Sequence, residues 1–312
     1  VAVVVALGEA LVELAAVGGP LEEAREFRRG FGGDTSNFAV AAARLGAEVA
    51  YVTRVGDDAF GRALLRMWTE EGVDVSHVRV GGGEPTGIYF LAPDGAGQFT
   101  YYRTGSAASR LGPEDVPQVL LRSARLLHTS GITQAISPSA REAARTAVEA
   151  AKEFGVRVSY DVNARPKLAS AAELRAWVGE TLPLVDLAFL SAEDARFLFG
   201  EAGEDAVLDR LLELGARVAV LKLGERGCRV ATRDGEGVAA PGWPVASVDP
   251  TGAGDAFDAA FAVEWLAGRP LAEAAKFANA VGALSTTGLG ATAALPTRGQ
   301  VEQFLARLGA AP

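Results

Sequence analysis

A chain of 312 residues, 49% hydrophobic and 22% charged, can bury a sizeable core, which excludes a disordered polymer. Its 30 Lys and Arg against 39 Asp and Glu give a net charge of −9 with no basic stripe; this argues against nucleic acid but stays compatible with a small acidic ligand held by a few local arginines. A single cysteine, Cys228, permits no internal disulfide and points to a cytoplasmic setting, while two distant histidines, His77 and His128, argue against a His-rich zinc site or a Ser-His-Asp triad.

In chain order, residues 1–7 are apolar but too short to span a membrane and lack a basic flank, so 3–7 reads as a buried first strand. Residues 9–29 are short and mixed. Helical spacing over 36–45, a strand over 48–54 and helical spacing over 59–70 follow. Within 78–102, the β-rich pieces 87–91 and 98–102 flank the turn Pro93-Asp94-Gly95 and read as a hairpin. Strands are expected at 126–129, 156–161, 187–190 and 218–221, with helices at 139–154 and 173–182. Residues 233–237 form a turn, and a last β-rich run at 245–248 leads into a Gly-rich segment.

Near-continuous apolar strands alternating with helices predict an α/β fold: a doubly wound, mostly parallel sheet flanked by helices on both faces. Two stretches, 9–29 and 78–103, break that rhythm and are assigned to a small β-sheet lid. With no repeat, low-complexity tract or long linker, 1–312 reads as one domain.

The strongest chemical signal is Asp249-Pro250-Thr251-Gly252-Ala253-Gly254-Asp255-Ala256-Phe257-Asp258, followed by an Ala/Phe-rich helix. Its glycines allow a tight turn and close approach of a ligand, and the amides of the helix start face an anion. Asp255 among those amides fits phosphoryl transfer, and fits equally as a helix-terminal carboxylate. Two nucleotide fingerprints fail: Phe257 stands where a dinucleotide loop needs a small residue, and Arg62-Ala63 stands where a P-loop needs Lys-Ser/Thr. A second Gly-rich turn, Gly32-Gly33-Asp34-Thr35-Ser36-Asn37, opens another helix. It suits a sugar hydroxyl held by Asn37, or a plain cap made by Asp34 or Ser36.

These segments, with Leu45-Gly46 and Val55-Gly56-Asp57-Asp58 running to Gly61, together resemble the ribokinase-like (phosphofructokinase-B) carbohydrate kinases, end to end and in order. Within that family, Tyr101-Tyr102-Arg103, Gly105-Ser106-Ala107, His128, Ser130-Gly131-Ile132 and Asp161-Val162-Asn163 with Arg165 are most similar to 2-keto-3-deoxygluconate kinases.

The resemblance implies an enzyme that moves the γ-phosphoryl of ATP, with Mg2+, to the primary hydroxyl of a small sugar acid. It casts Asp255 as base and the amides of Gly252, Ala253 and Gly254 as anion hole. Gly33, Asn37, Tyr89, Tyr102, Arg103, Ile132 and Arg165 would hold the sugar acid. Asn163, Arg165, Ser191, Lys222, Gly224, Gly227, Gly252, Gly254 and Asn279 would hold the nucleotide. Tyr89 and Tyr102 also fit as sheet-packing aromatics, Lys222 as a surface lysine and Asn279 as a helix-face amide.

The family's Asn-x-x-Glu motif appears as Ser191-Ala192-Glu193-Asp194, so Asp194 would reach Mg2+ indirectly and Ser191 fits as an N-cap. Asp249 and Thr251 are implied for a monovalent ion such as K+. A neutral-sugar kinase (fructokinase or ribokinase) and a non-catalytic sugar-binding regulator are the rival readings. Membrane is not an expected partner, and a homo-oligomer through the lid is.

Overall fold

The computed structural model describes residues 3–92, 98–200 and 203–309. Among them the strands are β1 (Val3–Leu7), β2 (Leu11–Ala16), β3 (Phe27–Gly32), β4 (Glu48–Val55), β5 (Val78–Val80), β6 (Ile88–Ala92) and β7 (Gln98–Tyr102). The second half adds β8 (Leu126–Ser130), β9 (Arg157–Asp161), β10 (Leu187–Ser191), β11 (Val218–Lys222), β12 (Cys228–Thr232) and β13 (Gly237–Ala240). The large sheet runs β13-β12-β11-β10-β9-β8-β1-β4-β5 and is parallel except where β12 and β13 turn back.

Both faces of this sheet are covered, as the uninterrupted apolar strands require. In β1, Val4 and Ala6 join the core under the helices Asp34–Arg44, Ala59–Glu70, Ala253–Leu266 and Leu271–Ser285. Val5 and Leu7 join the opposite core, under Pro138–Glu153, Ala171–Thr181 and Glu204–Leu214. Pro138–Glu153 meets the sheet through Ala140, Ala143, Ala144, Ala147 and Ala151, small residues that let the helix lie close. The doubly wound α/β reading is therefore the observed fold.

A second sheet of order β3-β2-β6-β7 stands beside the large one. β2 pairs antiparallel with β3 and parallel with β6, and β6 pairs antiparallel with β7. The expected boundaries need two corrections. β3 runs on to Gly32, and Val78–Val80 belongs to the large sheet, pairing parallel with Thr53–Val55. The turn expected at 93–95 lies outside the described residues. Residues 245–248 are not a strand, because Pro244 and Pro250 flank them and Val248 N–H donates to Thr286 O at 2.7 Å instead of to a neighbouring strand.

His128 shows how tightly the site-bearing helix is seated. Its ring stacks on Phe38 of Asp34–Arg44 at 3.6 Å between centroids and 3° between planes, with Nδ1 3.0 Å from Ser159 Oγ. Burial drives its pKa from 6.5 down to about 3. Between those values only the unfolded chain takes up this proton, so the stability the neutral imidazole provides is whole above pH 6.5 and falls as pH drops toward 3. Urea titrations at pH 7 and pH 5 should therefore show the parent losing about 2 kcal/mol more than His128→Gln. Equal losses would mean that the imidazole protonates within the folded protein.

Candidate active site

Parallel strands deliver their carboxyl ends to one edge, and the candidate site is built there. Register sets Ser130 of β8 beside Asp161 of β9, and Ser191 of β10 beside Lys222 of β11. Two helices begin at the same edge. Asp34–Arg44 starts after Gly33, at φ 102°, where a Cβ would lie 2.3 Å from Glu9 O; Ala253–Leu266 starts after Gly252, at φ 80°, where a Cβ would lie 2.8 Å from Ala291 O. Only glycine fits either turn.

Because the two helices pack together, Asn37 Nδ2 donates to Asp255 Oδ2 at 2.8 Å. One of the three amides expected to form the anion hole is already used. Ala253 N–H is already engaged by Pro250 O at 3.2 Å, whereas those of Gly252 and Gly254 find no acceptor among the described residues. Gly254 is exposed, facing whatever enters. Free amides and positive helix-terminal dipole favour an anion at this point.

Negative charge is crowded around this turn. Burial raises the Asp255 pKa from 3.8 to about 7, reinforced by the charges of Asp34 and Asp161 and opposed by the Asn37 amide and Lys222. Burial also raises Asp34, against the Ser130 hydroxyl, the Thr35 amide at 2.8 Å and the charge of Arg165. Asp194 is raised by burial and then by Asp161. Asp161 alone moves down: burial opposes ionisation there, but Lys222 beside it wins. Asp255 is thus a carboxylate poised to accept a proton near neutrality, next to a hole for an anion.

The remaining expected residues divide. Asn163 is buried in a left-handed conformation (φ 38°) and donates to Asp34 Oδ2 at 3.2 Å, so its amide orders the site's carboxylates. Ile132 is buried in the first turn after Ser130. Arg165 is exposed and forms no ion pair among the described residues, while its charge reaches Asp34, Tyr101 and Asp194.

Arg103 is not a free cation: it forms an ion pair with the fully buried Glu9, its Nε 3.2 Å from Oε1. The Tyr89 hydroxyl is bound to Glu13. Tyr102 is 63% exposed and packs on Phe90, because pairing with Ile88 turns it to the outer face. Tyr101, opposite Tyr89 in register, takes the inner face, and Arg103 lies 4.8 Å from the centre of its ring.

On the expected nucleotide side, Ser191 Oγ caps a helix by accepting from Asp194 N at 3.0 Å. Gly224 and Gly227 flank the turn into β12, and Asn279 Nδ2 donates to Ala240 O and Pro241 O, both at 3.0 Å. Asn279 therefore supports the loop after β13 with its amide. Lys222 is no surface lysine; its nitrogen is bound by Asp161 and Asp258. Asp249 accepts from Thr251 N and Gly290 N, each at 2.9 Å, tying the Gly-rich turn to a second loop. Sequence reasoning gave no site role to Glu9, Tyr101 or Asp258 and read Asp34 only as a cap; of these, Asp258 carried a signal, as an acid in an apolar helix.

The description "pfkB family carbohydrate kinase" matches residues 2–298, and the chain belongs to that family. It is 39% identical to 2-dehydro-3-deoxygluconokinase of Thermoproteus tenax, over 97% of this chain and 94% of that one. It is also 36% identical to fructokinase-1 of Zea mays, over 97% of both. Among solved structures, fructokinase of Vibrio cholerae with fructose, ADP and calcium ion superposes with a TM-score of 0.87, at 31% identity and 97% and 99% coverage. An E. coli protein described as Ribokinase II, in complex with ATP and Mg2+, gives 0.92 at 27% identity, with 98% and 100% coverage. The protein is a carbohydrate kinase of the ribokinase-like fold.

The raised pKa of Asp255 has a consequence for stability. With 3.8 unfolded and about 7 folded, the cost of burying its charge is absent below pH 3.8 and complete above pH 7. Asp255→Asn should therefore melt at a higher temperature than the parent at pH 8, with the gap closing towards pH 4. A lower melting temperature at pH 8 would show that the folded protein stabilises this charge.

Proposed function

We propose that this kinase transfers the γ-phosphoryl of ATP to the primary hydroxyl of a small sugar acid, with 2-keto-3-deoxygluconate as the first candidate. The observation behind the chemistry is Asp255, held by Asn37 beside the free amides of Gly252 and Gly254. Asp255 takes the hydroxyl proton as the oxygen attacks in line, and the amides receive the charge of the transferred group. A non-catalytic sugar binder would have no use for a carboxylate beside a phosphate hole.

The donor set suits Mg2+ arriving with the nucleotide. Among the described residues no group of three or more His, Cys, Asp or Glu could hold a metal alone, and Mg2+ characteristically takes one or two carboxylates plus phosphates. Asp194 would hold it through water, Ser191 Oγ being committed to its cap. When bound, Mg2+ screens the triphosphate charge. Asp249 and Thr251 would hold a monovalent ion such as K+.

The sugar-acid reading rests on Arg165, open at the ligand edge without an acidic partner, and is supported by the likeness to the T. tenax enzyme. A guanidinium fork matches a carboxylate. The second reading, a fructokinase, is favoured by the Glu9–Arg103 pair, which already neutralises one of the two arginines expected to meet an acid. The small sheet would close over the sugar within a single 1–312 domain. Its outer face, with Phe27 39% and Tyr102 63% exposed, supports self-association. No helix among the described residues is long and apolar enough to cross a membrane, and buried, reduced Cys228 suits a cytoplasmic setting.

ATP turnover against a sugar panel tests the reading. kcat/KM for 2-keto-3-deoxygluconate should exceed that for fructose or ribose by at least about 10²-fold, and Arg165→Lys should erode the preference. Comparable efficiency on fructose would replace the acid with a neutral sugar. Asp255→Asn should lower kcat by roughly 10²–10⁴-fold with binding kept, and a few-fold change would remove Asp255 from the mechanism. Chelation of divalent ions should abolish turnover; full activity in chelator would remove Mg2+.

A further inference from the structure

Lys222 ends β11 with its ammonium clamped between two buried acids, 3.0 Å from Asp161 Oδ2 and 2.8 Å from Asp258 Oδ2. The three side chains are 13%, 5% and 1% exposed. The same nitrogen lies 3.4 Å from where a Cβ on Gly254 would stand, so it rests against the backbone that presents one of the free amides.

Packing alone does not account for this trio. Asp258 stands in a helical stretch whose sequence neighbours Ala256, Phe257, Ala259, Ala260 and Phe261 are all buried and apolar. Asp161 Oδ1 and Asp258 Oδ1 are buried and receive no hydrogen bond. Apolar side chains of similar size usually serve stability as well as a buried ion cluster, or better. What Asp258 does provide is a second anchor for the Lys222 ammonium, supplied by a helix and not by the sheet. Two anchors prevent the flexible lysine stem from swinging out towards the nucleotide.

We propose that Lys222 is a positioning residue for phosphoryl transfer: pinned by Asp161 and Asp258 against Gly254, it fixes the glycine turn and places a stationary positive charge beneath the transferred group. This rests on placing the transfer at Gly252–Asp255. The acids crowded around that turn would oppose the negative charge that gathers on the transferred group, and a fixed cation offsets them without having to reorganise during the reaction. Such a charge acts on the step itself. Its removal should therefore appear in kcat and leave the affinity for ATP in place, opposite to a lysine that lines the nucleotide pocket.

The test compares Lys222→Met with the parent, using ATP, Mg2+ and whichever of 2-keto-3-deoxygluconate or fructose the parent turns over faster. We expect kcat to fall by about 10²–10³-fold, with calorimetric Kd for ATP and KM for the sugar within threefold of the parent. Should the lone mutant fail to fold, Lys222→Met with Asp161→Asn removes one cation and one anion together. That pair should melt near the parent and show the same deficit, while Asp161→Asn alone, with Lys222 still on Asp258, should lose much less. A kcat within threefold of the parent in the single or double variant would overturn the proposal. So would a tenfold weaker Kd for ATP with kcat retained. Asp255→Asn separates the two levels: if it is slow while Lys222→Met is fast, only the positioning role fails, and if it is fast, the placement of the transfer site fails and the proposal with it.

Discussion

Five carboxylates crowd the carboxyl edge of one sheet, and the arrangement around them is an answer to that repulsion. Asp34, Asp161, Asp194, Asp255 and Asp258 perturb one another's protonation through shared charge. Lys222 is spent on two of them, Asn163 and the Thr35 amide on Asp34, and Asn37 on Asp255. Arg165, which forms no ion pair among the described residues, acts on Asp34 and Asp194 only through its charge from the solvent side. Remove these partners and the low-dielectric edge could not keep so many acids near ionisation. With these partners in place Asp161 is held low while the others stay raised, Asp255 to about 7, where it can exchange a proton near neutral pH.

Topology determines which residues take part. β8, β9, β10 and β11 are adjacent and parallel, so residues that lie 92 positions apart in sequence, Ser130 and Lys222, arrive at one edge. The two helices that start at Gly33 and Gly252 then bring backbone amides and Asn37 to the same place. The small sheet adds a second layer of charge control. Its first strand starts two residues after Glu9, and its last ends one residue before Arg103, so closing the sheet also joins that ion pair.

Most of this frame was legible in the sequence, because strands buried on both faces read as unbroken apolar runs and helices keep their period. The strands at 3–7 and 48–54 and the helix at 59–70 stand where the pattern puts them. Partnership across the chain was not legible. Whether Tyr101 or Tyr102 faces inward depends on pairing with Tyr89 or Ile88, a one-residue register that neither strand encodes alone. Glu9 and Arg103 are 94 residues apart, and nothing local marks either as half of a pair. Asn279 looks like a ligand-facing amide until the loop carbonyls of Ala240 and Pro241 are placed against it. At 245–248 the β-rich composition misled, since no neighbouring strand was present to accept it.

The Glu9–Arg103 pair bears most directly on substrate class. A buried carboxylate with its own arginine is balanced before any ligand enters, so a neutral sugar would not leave Arg103 uncompensated. On the sugar-acid proposal, recognition of the acid would come mainly from Arg165, which is exposed and therefore screened by solvent unless the small sheet closes over it. Closure would strip water from that guanidinium, and an unpaired cation in a drier site costs far more than one in solvent. Selectivity for an acid would thus be generated on closing, by the penalty a neutral sugar leaves on Arg165. On that proposal Glu9 narrows the problem: of the two arginines expected to meet an acid, Arg165 is the one without an ion pair among the described residues.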